Sequence, residues 1–161
     1  MYLPENKKRN EWLAEEERNK AYAMSAVSFA YKNLDMTKTF TVLDIGCGRG
    51  HFTTLMNYFG RDCVGIDKRL DFEGNRFAVA DMSILPFGDE TFDLVHEHMA
   101  LTDVKDFQNG TREDNYPVLE EIHRVLKPGG YYMGRMYYDW LRKTRKFKSC
   151  EMSEHFVYTK I

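Results

Sequence analysis

Asp44, Gly46, Gly48 and Gly50 fall at alternate positions in the stretch Thr41-Val-Leu-Asp-Ile-Gly-Cys-Gly-Arg-Gly-His-Phe52. Glycine tolerates the backbone dihedrals of a sharp turn, and without a Cβ it lets another molecule lie close against the main chain. Two further acids, Asp67 and Asp81, each end a short apolar run. A carboxylate where Asp67 stands, about 20 residues beyond the glycines, can accept hydrogen bonds from both hydroxyls of a ribose; a turn or a helix cap is the other use of such an acid. His96, Glu97 and His98 close a fourth apolar run and are the nearest candidates for a general base. His96 and His98 share a face of an alternating strand, which raises a metal site. Two histidines without a third ligand instead point to hydrogen-bonded structure, and no metal is predicted.

These residues need a scaffold. Val42, Leu43 and Ile45 read as a strand buried on both faces. Phe52, Leu55, Met56 and Phe59 have helical spacing over His51 to Phe59, so the opening unit is strand, glycine turn, helix. In an open α/β sheet, ligands bind beyond the carboxyl ends of the strands, where the strand order reverses. Cys63 to Asp67 and Arg76 to Asp81 read as the second and third strands. Lys68 to Asn75 is too short for a crossover helix, which predicts a loop or single turn there, with the N-terminal helix packing nearby to cover the gap. Pro86 and Gly88 mark a surface loop over Met82 to Thr91, and Phe92 to Glu97 is the fourth strand. Asp103 to Asn115 is polar and reads as a loop. Val118, Leu119, Ile122, Val125 and Leu126 predict a helix over Tyr116 to Leu126, stopped by Lys127-Pro-Gly-Gly before a fifth strand at Tyr131 to Met136. Asp139 to Lys146 suits a short helix, and Phe147 to Met152 pairs with Phe156 to Ile161 as a closing hairpin.

Asn10 to Leu34 contains no Gly or Pro and sets Met24, Val27, Tyr31 and Leu34 on one face, the pattern of one amphipathic helix or two. It covers a face of the sheet, or it folds Trp12 and Tyr22 over the ligand as a lid. Met24, Met36 and Met56 read as core filler. The chain is one domain over residues 1–161, with a helical cap at 1–38 and an α/β core at 39–161.

At 161 residues the chain can bury a real core, and its net charge of -2 argues against wholesale nucleic-acid binding. The basic run Arg142, Lys143, Arg145, Lys146 and Lys148 is a solvated face, or it draws in an acidic or nucleic-acid substrate. Cys47, Cys63 and Cys150 are far apart and suggest neither a disulfide framework nor a zinc site, so reduced thiols in a cytoplasmic protein are expected. No stretch has the length or apolarity of a signal peptide or a membrane span, and no membrane partner is expected.

A dinucleotide fingerprint, Gly-x-Gly-x-x-Gly, would place its third glycine where His51 stands, whereas here Gly50 comes one residue early. With Asp44-x-Gly-x-Gly-x-Gly, the chain resembles the class I methyltransferases that use S-adenosylmethionine. The likeness continues through Gly65-Ile-Asp67, Ala80-Asp81-Met82, Phe92-Asp-Leu-Val95 and Leu119-Glu-Glu-Ile-His-Arg-Val-Leu-Lys-Pro-Gly-Gly130, so it covers about Phe40 to Arg135. It implies a Rossmann-like α/β fold: a mostly parallel twisted sheet, helices on both faces and a C-terminal antiparallel hairpin.

The resemblance also implies a cofactor site of Asp44, Gly46, Cys47, Gly48, Gly50, Asp67, Lys68, Asp81, Met82 and Glu97. In it Asp44 engages the ammonium of S-adenosylmethionine directly or through water, Asp67 the ribose and Asp81 the adenine amino group. The strand edge at Glu97 to Met99 faces the sulfonium, with His98 and Glu97 as catalytic candidates. The expected reaction is in-line methyl transfer that leaves S-adenosylhomocysteine. The alternative is a module or partner subunit that binds either form without transfer. A nicotinamide oxidoreductase is disfavoured by His51. The acceptor is a small molecule if the N-terminus folds over the pocket, or a protein or RNA if the pocket is open; a second subunit in a homodimer is another way to close it.

Overall fold

The apolar runs assemble into a single sheet with order β3-β2-β1-β4-β5-β7-β6. The computed structural model describes residues 4–36, 40–101, 116–134, 145–151 and 155–161. Its elements are α1 (Pro4–Asn33), β1 (Thr41–Ile45), α2 (His51–Tyr58), β2 (Asp62–Asp67), β3 (Phe77–Val79), β4 (Phe92–Glu97), α3 (Tyr116–Val125), β5 (Leu126–Gly134), β6 (Phe147–Glu151) and β7 (Phe156–Lys160). Strands β1 to β5 run parallel, while β7 is antiparallel to both β5 and β6. The fold is therefore the expected Rossmann-like α/β architecture with a closing antiparallel hairpin. The strand order reverses between β1 and β4, which puts the ends of those two strands at the place where such sheets bind ligands.

Alternation along the strands divides the core. Val42, Leu94, Met133 and Val157 face α1 and α2. Leu43, Val95, Tyr132 and Tyr158 face Val118, Leu119, Ile122 and Val125 of α3. Helices thus cover both faces. No helix forms between β2 and β3, as the short segment predicts.

Three expectations need correction. The buried face of α1 is Ala23, Ala26, Val27, Ala30 and Leu34, not the Met24 and Tyr31 face; Met24 is 64% exposed. Periodicity weighted towards large side chains overlooks alanine, yet small residues are what let this helix settle close to α2 and the sheet. Phe59, read as the last residue of the helix on its apolar spacing, is instead the exposed C-cap just past α2. β5 begins at Leu126 rather than Tyr131: Leu126 already pairs with Phe92, and the register then shifts so that Tyr131 opposes Leu94. Lys127-Pro-Gly-Gly is thus a bulge inside the pairing, with Gly129 at φ 75°. The loop expected over Asp103 to Asn115, and the helix over Asp139 to Lys146 apart from its last two residues, lie outside the described residues.

The amino end of the sheet, remote from the strand ends that matter for ligands, is held by Asp93. Its Oδ2 accepts bonds from the Thr41 amide and hydroxyl and from Lys127 Nζ, each at 2.8 Å. Partial burial pushes this carboxyl up, but the bonds from Lys127 and Thr41 outweigh that and hold it below its usual range. A depressed native pKa means stability that is present above the unfolded value, near 3.9, and is lost as pH falls through the native one. Urea unfolding at pH 7 is expected to show Asp93→Asn less stable by about 1.5–3 kcal/mol. The difference from wild type should shrink as the pH is lowered below about 4. In the core, Ala26→Leu should cost about 1–3 kcal/mol by overpacking, whereas Met24→Gln should stay within about 0.5 kcal/mol of wild type.

Candidate functional site

The three glycines of the turn do two different jobs. All adopt positive φ, at 65° for Gly46, 52° for Gly48 and 72° for Gly50. A Cβ on Gly46 would sit 2.4 Å from Ala100 Cβ, and one on Gly50 would sit 2.4 Å from the Phe77 ring. Those two positions let neighbouring segments pack against the turn. A Cβ on Gly48 would meet nothing within 4 Å, so only there does the bare backbone face open space. The Cys47 amide donates to Ile66 O at 2.9 Å and the Gly48 amide to Asp67 Oδ2 at 3.0 Å, tying the turn to the end of β2. Asp67 Oδ1 accepts from the Arg69 amide.

Asp44, one residue before the end of β1, is only 3% exposed. Its Oδ2 accepts the Thr53 hydroxyl of α2, and its Oδ1 accepts His96 Nδ1–H of β4, both at 2.8 Å. His96 lies flat on Phe52, with centroids 3.7 Å apart and planes at 16°. Burial, reinforced by the charges of Asp44 and Asp67, pushes the Cys47 thiol far up, so it stays protonated. What Cys47 offers the site is backbone.

A cleft of about 380 Å³ opens over the turn, with Gly46, Gly48, Asp67, Lys68, Met82 and His98 in its lining alongside Glu15, Asn19, Met99 and Ala100. Asp81, next to Met82 in the chain, is exposed and outside that lining; its carboxylate accepts the Ser83 hydroxyl and amide, which hold it below its ordinary range. Gly50 is packed under Phe77. Glu97 is directed to the other side of β4: it is buried, accepts the Ala100 amide at 3.1 Å and meets the Tyr132 hydroxyl at 3.5 Å. It thereby holds the segment that follows β4, in which Met99 takes the left-handed φ of 60°.

The first half of α1 lies across this turn. Glu16 pairs with Arg49 at 3.2 Å and His51 at 3.1 Å, and the Arg49 guanidinium sits 4.5 Å over the Trp12 ring. Tyr22 stacks on His98 at 3.5 Å, with the planes 11° apart. A second cleft of about 660 Å³ runs along α1, lined by Arg18, Tyr22, Ser25 and His155 and sharing Glu15, Asn19, His98 and Met99 with the first. His155 faces Tyr22 and Ser25 at 3.4 and 3.3 Å. Sequence reasoning singled out neither His155 nor the Glu16 pairings, because helix charges and a hairpin histidine carry no local pattern that names their partners. The pairing of Asp44 with His96 was foreshadowed only by their positions at the ends of two strands. Among the described residues, no group of His, Cys, Asp and Glu could hold a metal, and no helix is long and apolar enough to cross a membrane.

The turn separates two effects that unfolding measurements can resolve. Gly48→Ala should cost about 1–2 kcal/mol, the strain of a left-handed alanine. Gly46→Ala should cost about 1–3 kcal/mol more, because it also collides with Ala100.

Comparison with known proteins agrees with this geometry. A family model described as a methyltransferase domain matches residues 43–134. Human arginine-hydroxylase NDUFAF5, mitochondrial, is 31% identical over 116 residues, covering 64% of this chain and 30% of that protein. The uncharacterized methyltransferase sll0829 of Synechocystis is 30% identical over 109 residues, covering 63% and 49%. The chain thus spans half or less of the length of these curated relatives. The TehB-like SAM-dependent methyltransferase from Corynebacterium glutamicum shares the fold, with a TM-score of 0.59 at 20% identity over 91% of this chain and all of that one. By its matched core and the turn at Gly46 to Gly50, the chain belongs to the methyltransferase domain family, whose cofactor is S-adenosylmethionine.

Proposed function

We propose that this chain binds S-adenosylmethionine over the glycine turn and transfers its methyl group in line to an acceptor that enters beside His98. One observation carries the reading. The open backbone at Gly48, the carboxylate of Asp67 and the side chain of Met82 share a cleft that meets a second, larger one at His98 and Met99. A cofactor cradle and an acceptor channel that join at one point are what a transfer between two bound molecules requires.

The residues fit the cofactor. The missing Cβ of Gly48 leaves room for its amino-acid end, and Asp67 offers acceptors to the ribose hydroxyls. Asp81 is assigned to the adenine amino group, with Lys68 and Met82 flanking the ring. When bound, the cofactor supplies a methyl carbon on a positive sulfur. The protein then has to align the acceptor and exclude water. His98, held against Tyr22, orients the acceptor or takes its proton. Glu97, buried and bonded to Ala100, acts as a positioning residue for the segment after β4, which revises its expected place at the sulfonium. Coverage of the turn by α1 favours a small acceptor over a protein or RNA. Cys47 and Cys63 are free thiols, which suits a reducing cytoplasm.

A second reading, a module that binds the cofactor or its product without transfer, is favoured by the burial of Glu97, which leaves His98 of that pair to take a proton at this junction. Calorimetry with S-adenosylmethionine and S-adenosylhomocysteine tests the cradle, and S-adenosylhomocysteine release in a screen of small acceptors tests the transfer. Asp67→Ala should weaken binding of either form by about 1.5–3 kcal/mol, roughly 10- to 100-fold. Unchanged affinity would remove the ribose assignment. His98→Ala should lower turnover while leaving cofactor affinity within about twofold, if the residue serves the acceptor side.

A further inference from the structure

Beside the main cleft, between α1 and the glycine turn, lies a smaller cavity of about 140 Å³ whose lining includes Asn19, Tyr22, Asp44, Arg49, His51 and His96. His96 is 1% exposed, and its Nε2 is buried with no hydrogen-bond partner. A buried polar atom left unpaired is uncommon and marks a place where a partner is missing. Asp44 accepts at Oδ1, which puts a proton on Nδ1; in the neutral ring with that tautomer, Nε2 presents a lone pair to the cavity. The strand side of the cavity therefore offers acceptors, His96 Nε2 and Asp44. The turn side offers the Arg49 and His51 side chains, on which Glu16 now rests. The remaining groups around the ring carry no opposing charge there: Tyr22 and His98 stack together, Cys47 stays a thiol, and the Thr53 hydroxyl is given to Asp44. Acceptors facing the Arg49 guanidinium match a zwitterion, the ammonium and carboxylate of an α-amino acid.

We propose that His96 is a positioning residue for the amino-acid end of the cofactor, with Nε2 receiving one N–H of its ammonium group and Asp44 another. The inference rests on the cofactor reading above, and it adds to the site a residue on the strand beyond the glycine turn. It makes His96 selective: the residue should matter for ligands that carry the amino-acid end and not for those that lack it.

Calorimetry on His96→Asn provides the test, because the asparagine amide can still donate to Asp44 while the ring nitrogen is gone. S-adenosylhomocysteine should bind at least tenfold more weakly than to wild type. 5′-Methylthioadenosine, which keeps the nucleoside and lacks the amino acid, should bind within twofold of wild type. His96→Gln, whose longer amide reaches towards the lost nitrogen, should recover part of the difference. Equal losses for both ligands would mean a purely structural role, and unchanged S-adenosylhomocysteine affinity would mean that packing or a buried water satisfies Nε2; either overturns the proposal. Should the variants fail to fold, nitrogen-15 spectra of the wild-type imidazoles decide instead. The Nε2 resonance must move with S-adenosylhomocysteine and hold still with 5′-methylthioadenosine, and any other pattern overturns the proposal. If wild type binds neither nucleoside, the cofactor reading falls first and takes this inference with it.

Discussion

A carboxylate almost cut off from water has to be met by donors, and Asp44 is such a group at the centre of this molecule. Its two donors come from different elements, Thr53 on α2 and His96 on β4. One ionised side chain on β1 thereby locks the helix that follows the turn to the strand across the topological switch. The stack of His96 on Phe52 closes the triangle. Removing either donor would leave a buried charge short of a partner, which is far more costly than the gain from one ordinary hydrogen bond. The geometry of the glycine turn thus depends on a polar network beneath it as much as on its own backbone freedom.

The sheet and most of the turn were legible in the chain itself. Val42, Leu43 and Ile45 could hardly be anything but a strand buried on two faces, and the spacing of Asp44 to Gly50 distinguished this turn from a dinucleotide site. The short span after Asp67 predicted the missing crossover helix because length alone forbids one. The errors have physical causes. Alanine is weakly hydrophobic, so the face of α1 that packs most closely was the least visible in the pattern. Pro and two Gly after Lys127 signal a stop, yet a bulge absorbs them within β5 once Leu126 is anchored opposite Phe92.

Side-chain partners were harder to read than elements. Asp67 was placed at a ribose by its position at a strand end, but its bond to the Gly48 amide joins segments 19 residues apart and has no local signature. Glu97 sits next to two histidines in sequence, and alternation alone sends it to the opposite face, into contact with Ala100 and Tyr132. Strand periodicity carried that information, and the proximity of three titratable residues obscured it.

α1 serves two layers at once. Its last third, from Ala23 onward, is core against α2 and the sheet, while Glu16 and Tyr22 before it hold the turn and His98. The helix has 30 residues, about 45 Å at 1.5 Å per residue. A cover continuous with the core has no hinge loop, so it opens by fraying from the helix's amino-terminal turns or by bending as a rod. Access to the turn then becomes a matter of local helix–coil equilibrium, in which the pairs of Lys20 with Glu16 and Glu17 act as brakes. Salt weakens surface pairs of this kind, so ionic strength tunes how quickly a ligand comes and goes here, even where it leaves the ligand's own contacts untouched.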